Sequence, residues 1–113
     1  MIDSSSFGQM VIDGLMYTSD LIIYPDRRVM DSWWRQSSHR LSSVDIDGLI
    51  ESNPEVIVAG TGVNGLMKPE KELEKLLDQK GIKFIVEPTP KAAEIYNRFS
   101  SKTQVGACFH LTC

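Results

Sequence analysis

The chain has 113 residues, 42% hydrophobic and 24% charged, with 12 Lys and Arg against 15 Asp and Glu for a net charge of −3. That length suits one domain over residues 1–113, able to bury roughly two-thirds of the surface its unfolded form exposes. The composition excludes disorder, the apolar runs are too short to cross a bilayer, and Arg27-Arg28 is the sole adjacent basic pair, which argues against a nucleic-acid partner.

In chain order, the first third reads as strands and turns. The stretch FGQMVIDG alternates, with Phe7, Met10 and Ile12 among polar neighbours, and Asp13-Gly14 predicts a hairpin into LMYT. DLIIYP predicts a short strand halted by a turn at Pro25-Asp26, and VMDSWW continues the sheet. From residue 43 helix and strand alternate. Ser43 caps a short helix with Asp45 and Asp47 in its first turn and Ile46, Leu49 and Ile50 on its apolar stripe. Asn53-Pro54 ends it, and a strand follows at 56–59.

A second helix starts with Pro69 in its first turn and stops at Gly81, with Leu73, Leu76 and Leu77 inward. The strand KFIVE comes next. A third helix is capped by Thr89, opens at Pro90 and buries Ala92, Ile95, Tyr96 and Phe99. QVGACFHLT closes the chain as a strand. The sum is an α/β or α+β domain: an N-terminal antiparallel meander, then a β-α-β-α-β unit whose right-handed crossovers make its strands mainly parallel in a mixed sheet backed by helices. The strand order is not legible.

VIVAGTGVNG spells G-x-G-x-x-G at Gly60, Gly62 and Gly65 after a strand, with Glu87 at the end of the next strand, where a ribose-binding acid is expected. Backbone amides in such a turn can cradle a pyrophosphate. Against this, Leu66, Met67 and Lys68 separate the glycines from the helix, there is no room for a second nucleotide-binding half, and Pro88 cuts the strand after Glu87. A tight turn with φ > 0 at one or two glycines is the stronger expectation.

Cys108 and His110 share a face of the last strand, about 6–7 Å apart at Cα, but no third group completes a nucleophilic constellation. A buried thiol beside a hydrogen-bonded histidine is expected. Five residues apart on a strand, Cys108 and Cys113 point to opposite faces, which disfavours a disulfide, and a structural zinc would need more ligands at closer spacing, so free thiols in a reducing compartment fit. MIDSSSFGQM lacks the profile of a secretory or transit signal, so a cytoplasmic location is expected.

His39, in the polar loop QSSHRLSS, reads as a loop anchor that could cluster with His110 beyond the strand ends, provided the rings lie within about 10 Å. Of the adjacent Trp33 and Trp34, only one can face the core of a strand. The other either anchors an interface or lies flat over its own sheet.

The order of features resembles the Mth-type domain of unknown function, a family that includes the animal adipogenesis-associated Mth-domain-containing protein and, more distantly, the mitochondrial complex I assembly factor. The resemblance rests on the early Phe7-Gly8, the series Gly14, Tyr17, Asp20, and Trp34 followed by Ser38-His39. It continues through the GTG turn, Thr89, Ala92, Tyr96-Asn97 and the ending His110-x-Thr112-Cys113. It implies a compact three-layer α/β fold with no assigned activity, a Gly-x-Gly turn without a dependable third glycine, and the cytoplasmic rather than the mitochondrial branch. It carries over no catalytic role, and the candidate cleft residues are Trp34, His39, Gly60, Thr61, Gly62, Asn97 and His110, because the motifs recur there and the turn lies at a strand end. The expected function is that of a non-catalytic domain binding a protein partner, as an assembly or regulatory factor with no cofactor. The alternative is a small-ligand or nucleotide binder at the Gly60–Gly65 turn, and an enzyme is the weaker expectation.

Overall fold

A computed structural model describes residues 1–113. Three short strands, β1 (Ile2–Ser6), β2 (Gln9–Ile12) and β3 (Leu15–Tyr17), form the N-terminal antiparallel meander. Asp13 and Gly14 make its β2–β3 turn with φ of 49° and 82°, the left-handed pair that a two-residue hairpin loop requires. The main sheet has the order β5-β4-β10-β7-β9, built from β4 (Leu21–Ile23), β5 (Val29–Met30), β7 (Val56–Thr61), β9 (Lys83–Glu87) and β10 (Val105–His110). β10, β7 and β9 run parallel, whereas β4 and β5 are antiparallel additions at the β10 side. Two short strands, β6 (Arg40–Leu41) and β8 (Lys68–Pro69), form a small parallel pair.

The helices are α1 (Asp47–Glu51), entered through a 3-10 turn at Ser43–Ile46, then α2 (Lys71–Gln79) and α3 (Thr89–Ser100). They divide between the two faces of the sheet. Ile23, Val58, Ala107 and Phe109 face α3, through Ala92, Ala93 and Tyr96, and the meander, through Ile2, Met10 and Ile12. Ile22, Ile57, Ala59 and Cys108 face the other way, onto Leu41, Ile46, Leu49, Leu73 and Leu77. Alternate residues of each strand thus feed opposite layers, and β7 and β10 are buried at every position because both faces are covered. Leu73 and Leu77 lie one turn apart on α2, and burying each is worth roughly 1.5–3 kcal/mol. This is the expected single α/β domain in three layers, with its meander and β-α-β-α-β unit.

Several local readings differ. β1 was not legible, because IDSSS has little strand propensity. It forms because β2 pairs with it and because the Asn97 side chain both accepts from the Ile2 amide and donates to the Ile2 carbonyl, each at 2.8 Å. VMDSWW does not continue the sheet beyond Met30. Ser32 takes φ +53°, and its amide turns to the Ser19 hydroxyl, so both tryptophans sit on a loop. The first helix is capped one residue early, where Ser42 gives its amide and hydroxyl to the Asp45 carboxylate, both at 2.9 Å. Pro69 is in β8 opposite Leu41 rather than in the first turn of α2, which starts at Lys71. Of the α3 residues expected to be buried, Ile95 and Phe99 are only partly so, and Ala93 is buried in addition.

Candidate functional site

The carboxyl end of β10 carries the most organised polar group of the molecule. Asp20, just before β4, sits against it because β4 and β10 pair. One Asp20 oxygen accepts the Leu111 amide at 2.8 Å. The other lies 2.7 Å from His110 Nδ1 and 2.8 Å from Arg35 Nη1. Burial alone would raise the Asp20 pKa, but the Leu111 amide, His110 and Arg35 outweigh it and hold the carboxyl below its ordinary range. The short contact to a carboxylate assigns the proton to His110 Nδ1. Arg35 Nη2, 3.1 Å from that same nitrogen, then serves the Ser38 carbonyl at 2.8 Å, while His110 Nε2 and Arg35 Nε stay buried without a partner.

Arg35 also stacks its guanidinium 4.8 Å from the Trp33 ring, and Trp33 Nε1 donates to the Asp45 carbonyl at 2.9 Å. Trp33 is therefore a core residue. Between these two anchored neighbours Trp34 projects outward, 86% exposed. Beside it lies a hollow of about 370 Å³, lined by Trp33, Trp34, Arg35, Asp20, His110 and Thr112 together with small hydroxyl residues. His39 is exposed, with its ring edge-on to His110 at 6.2 Å between centroids, so the two imidazoles are neighbours.

The glycine turn lies behind this end of the sheet. Gly62 has φ +102°, and a Cβ there would overlap the backbone carbonyl of Cys113. At Gly60 a Cβ would meet Phe109 at 2.5 Å and the Thr89 hydroxyl at 3.0 Å. The amides of the turn are engaged within the chain. Gly62 donates to Thr89 Oγ1, Val63 to the Thr112 carbonyl, Asn64 and Leu66 to that of Cys113, and Gly65 to that of Gly62. Thr89 Oγ1 in turn donates to the His110 carbonyl at 2.6 Å. The glycines let residues 111–113 press against the strand end, and that segment takes the donors a phosphate loop would offer.

The structure thus gathers Trp34, His39 and His110 around one region and sets Gly60, Thr61 and Gly62 beneath it, outside the lining of the hollow. Thr61 is buried with its hydroxyl on the Glu87 carbonyl at 3.1 Å. Asn97 is a correction. Its amide is committed to Ile2, and it borders a different hollow between α3 and β1, because its place on α3 points it at the meander. Cys108 lies among the apolar side chains of the α2 layer, where burial pushes its thiol up to about 12, so it is not primed as a nucleophile by the nearby histidine. Asp20 and Arg35 were missed as a pair. A charged residue abutting the apolar run LII is a hint of a buried ion pair, but the partner 15 residues away is set only by the loop.

These observations define a three-layer α/β domain with an exposed tryptophan beside a buried Asp–Arg–His group. The chain belongs to the family described as protein of unknown function (DUF498/DUF598), which it matches over residues 2–110. It is similar to conserved hypothetical protein PH1505 from Pyrococcus horikoshii OT3, at 27% identity and a TM-score of 0.88, covering 100% of this chain and 99% of that one. It is also similar to MT938, at 27% identity and a TM-score of 0.83 over 100% and 98% of the two chains. It shares its fold with an outer membrane protein from Bartonella henselae, at 22% identity and a TM-score of 0.81 over 99% and 94%. No helix of this chain is long and apolar enough to cross a membrane.

Proposed function

We propose that the chain is a non-catalytic domain that binds a protein partner through the surface centred on Trp34. The observation that carries this is an 86% exposed tryptophan whose two sequence neighbours are both immobilised, Trp33 by the Asp45 carbonyl and Arg35 by Asp20 and Ser38. Tryptophan and arginine are the residue types that dominate interface energetics, and an anchor held by a rigid loop loses little conformational entropy when it docks. An assembly or regulatory role is the one suggested by the resemblance to the Mth-type domain and, within it, to the complex I assembly factor. A cytoplasmic setting belongs to the same reading and is supported by two free cysteines.

The test places a photo-cross-linking amino acid at exposed Gln36, two residues from an intact Trp34, and, as a control, at exposed Glu94. A discrete adduct from position 36 alone, suppressed by excess wild-type chain but not by Trp34→Ala, is the expected result. Equal suppression by Trp34→Ala overturns the assignment.

A second reading, small-ligand binding, is favoured by one observation. The hollow beside Trp34, at about 370 Å³, falls within the roughly 300–1,000 Å³ of ligand pockets. It lies beside Arg35 and His110 rather than over the glycine turn. An amide-shift titration with NAD, NADP, ATP and phosphate decides it. Saturable shifts at Asp20, Arg35 and Thr112 support ligand binding, and silence removes it.

A further inference from the structure

The outer edge of the main sheet at β9 has no strand beside it. The amide of Lys83 donates to the Glu55 carbonyl, and the Glu87 carbonyl accepts from Thr61 Oγ1, so both ends of β9 direct backbone groups toward β7. By strand alternation Ile85 does the same, which leaves the N–H and C=O of Phe84 and Val86 pointing outward. Natural edges are commonly blunted by proline, a bulge or a central charge. This one presents three consecutive strand-forming apolar residues, each only half-buried, with charges at the two ends alone.

We propose that β9 pairs with β9 of a second copy of this chain, antiparallel about a two-fold axis through Ile85. The order Lys-Phe-Ile-Val-Glu is complementary to its own reverse. In that register Phe84 stands opposite Val86 of the second copy, and the outward backbone groups of both residues fall in hydrogen-bonded pairs on each side of the axis. Lys83 stands opposite Glu87 of the second copy at a non-hydrogen-bonded position, where facing side chains come closest. The Lys83–Glu87 pair therefore forms twice in the dimer, once at each end, and no other ionisable residue lies in the strand. Lys83 is directed to the α3 side, its Nζ 5.4 Å from the centre of the Phe99 ring, and Ile85 packs on that same layer, so the ion pairs would rim an apolar strip. A two-fold operation closes on itself and joins two five-stranded sheets into one of ten strands. β9 is at the opposite edge of the sheet from β5 and the Trp34 loop, so the dimer leaves that surface open, and the inference does not rest on the proposed function.

The experiment is sedimentation velocity on the full chain across the micromolar range, with K83E, E87K, their equimolar mixture and the K83E/E87K double variant. The wild type is expected at twice 12.7 kDa at the upper end of the range. Each single variant faces like charge with like at both ends and self-associates about tenfold more weakly or worse. The mixture restores the dimer as a heterodimer, and the double variant restores it as a homodimer. A wild type that stays monomeric overturns the proposal, as do single variants that dimerise like the wild type. Hydrogen exchange on the wild type alone gives an independent readout. The Phe84 and Val86 amides should gain protection with concentration, and their failure to do so in a dimeric sample places the interface elsewhere.

Discussion

Thr89 is the hinge pin between the glycine turn and the last strand, and its removal tests that reading directly. Its hydroxyl accepts from the Gly62 amide at 2.9 Å and donates to the His110 carbonyl at 2.6 Å, and the residue is 1% exposed. Thr89→Val preserves shape while leaving a buried N–H and a buried C=O facing a methyl group. Each orphaned polar group costs about 1–3 kcal/mol, so the pair should cost about 2–6 kcal/mol. Thr89→Ser keeps both hydrogen bonds and loses one methyl group, which is worth about 0.8 kcal/mol. A domain near the middle of the usual range, with about 10 kcal/mol of stability, remains folded in either variant. Urea unfolding is the assay. With a slope of about 1–3 kcal/mol per molar, the valine variant's midpoint falls by roughly 1–3 M and the serine variant's by well under half of that. If the two variants lose the same stability, the hydroxyl is not a bridge and the account of the turn is wrong.

Three further outcomes follow from the same region. Gly62→Ala and Gly81→Ala both force alanine to positive φ, but only at Gly62 does the new Cβ strike backbone, that of Cys113. The Gly62 variant should be the less stable by about 2 kcal/mol or more in the same unfolding assay, and equal losses would show that residues 111–113 yield freely. Asp20 has a pKa held below that of the unfolded chain. Its contribution to stability is thus full above the ordinary value of about 4 and is lost as pH falls through the folded one. Asp20→Asn should flatten the wild type's loss of stability between neutral pH and that acid window, as read from melting temperatures, and an unchanged acid limb counts against the network. Iodoacetamide should label half-exposed Cys113 in the native chain and reach Cys108 only on unfolding, since burial pushes that thiol up to about 12. Native labelling of Cys108 would show that the β10 layer opens.

The helices and parallel strands were legible because their signals are local. The spacing of Leu73 and Leu77, the unbroken apolar run at 56–59 and the Asp13-Gly14 turn each carry their own periodicity or backbone preference. β1 carried none, because a serine-rich strand is held by its neighbours, β2 and Asn97, rather than by itself. The site divides in the same way. Trp34, His39 and His110 could be singled out through the motifs of the resemblance, and the glycines as a tight turn. Asp20 and Arg35 could not be joined to them. Their pairing depends on β4 lying against β10 and on a loop that turns at Ser32, contacts between residues 90 and 75 positions apart in the chain. Sequence by itself determined the class of the domain and the conformation of the Asp13-Gly14 and Gly60–Gly65 turns, since those follow from side-chain period and backbone sterics within a few residues. Only the tertiary structure decided which tryptophan is buried, which amides the glycine turn keeps for itself, and where buried charges meet. Those outcomes depend on desolvation and on partners brought in from distant segments, and no local pattern encodes them.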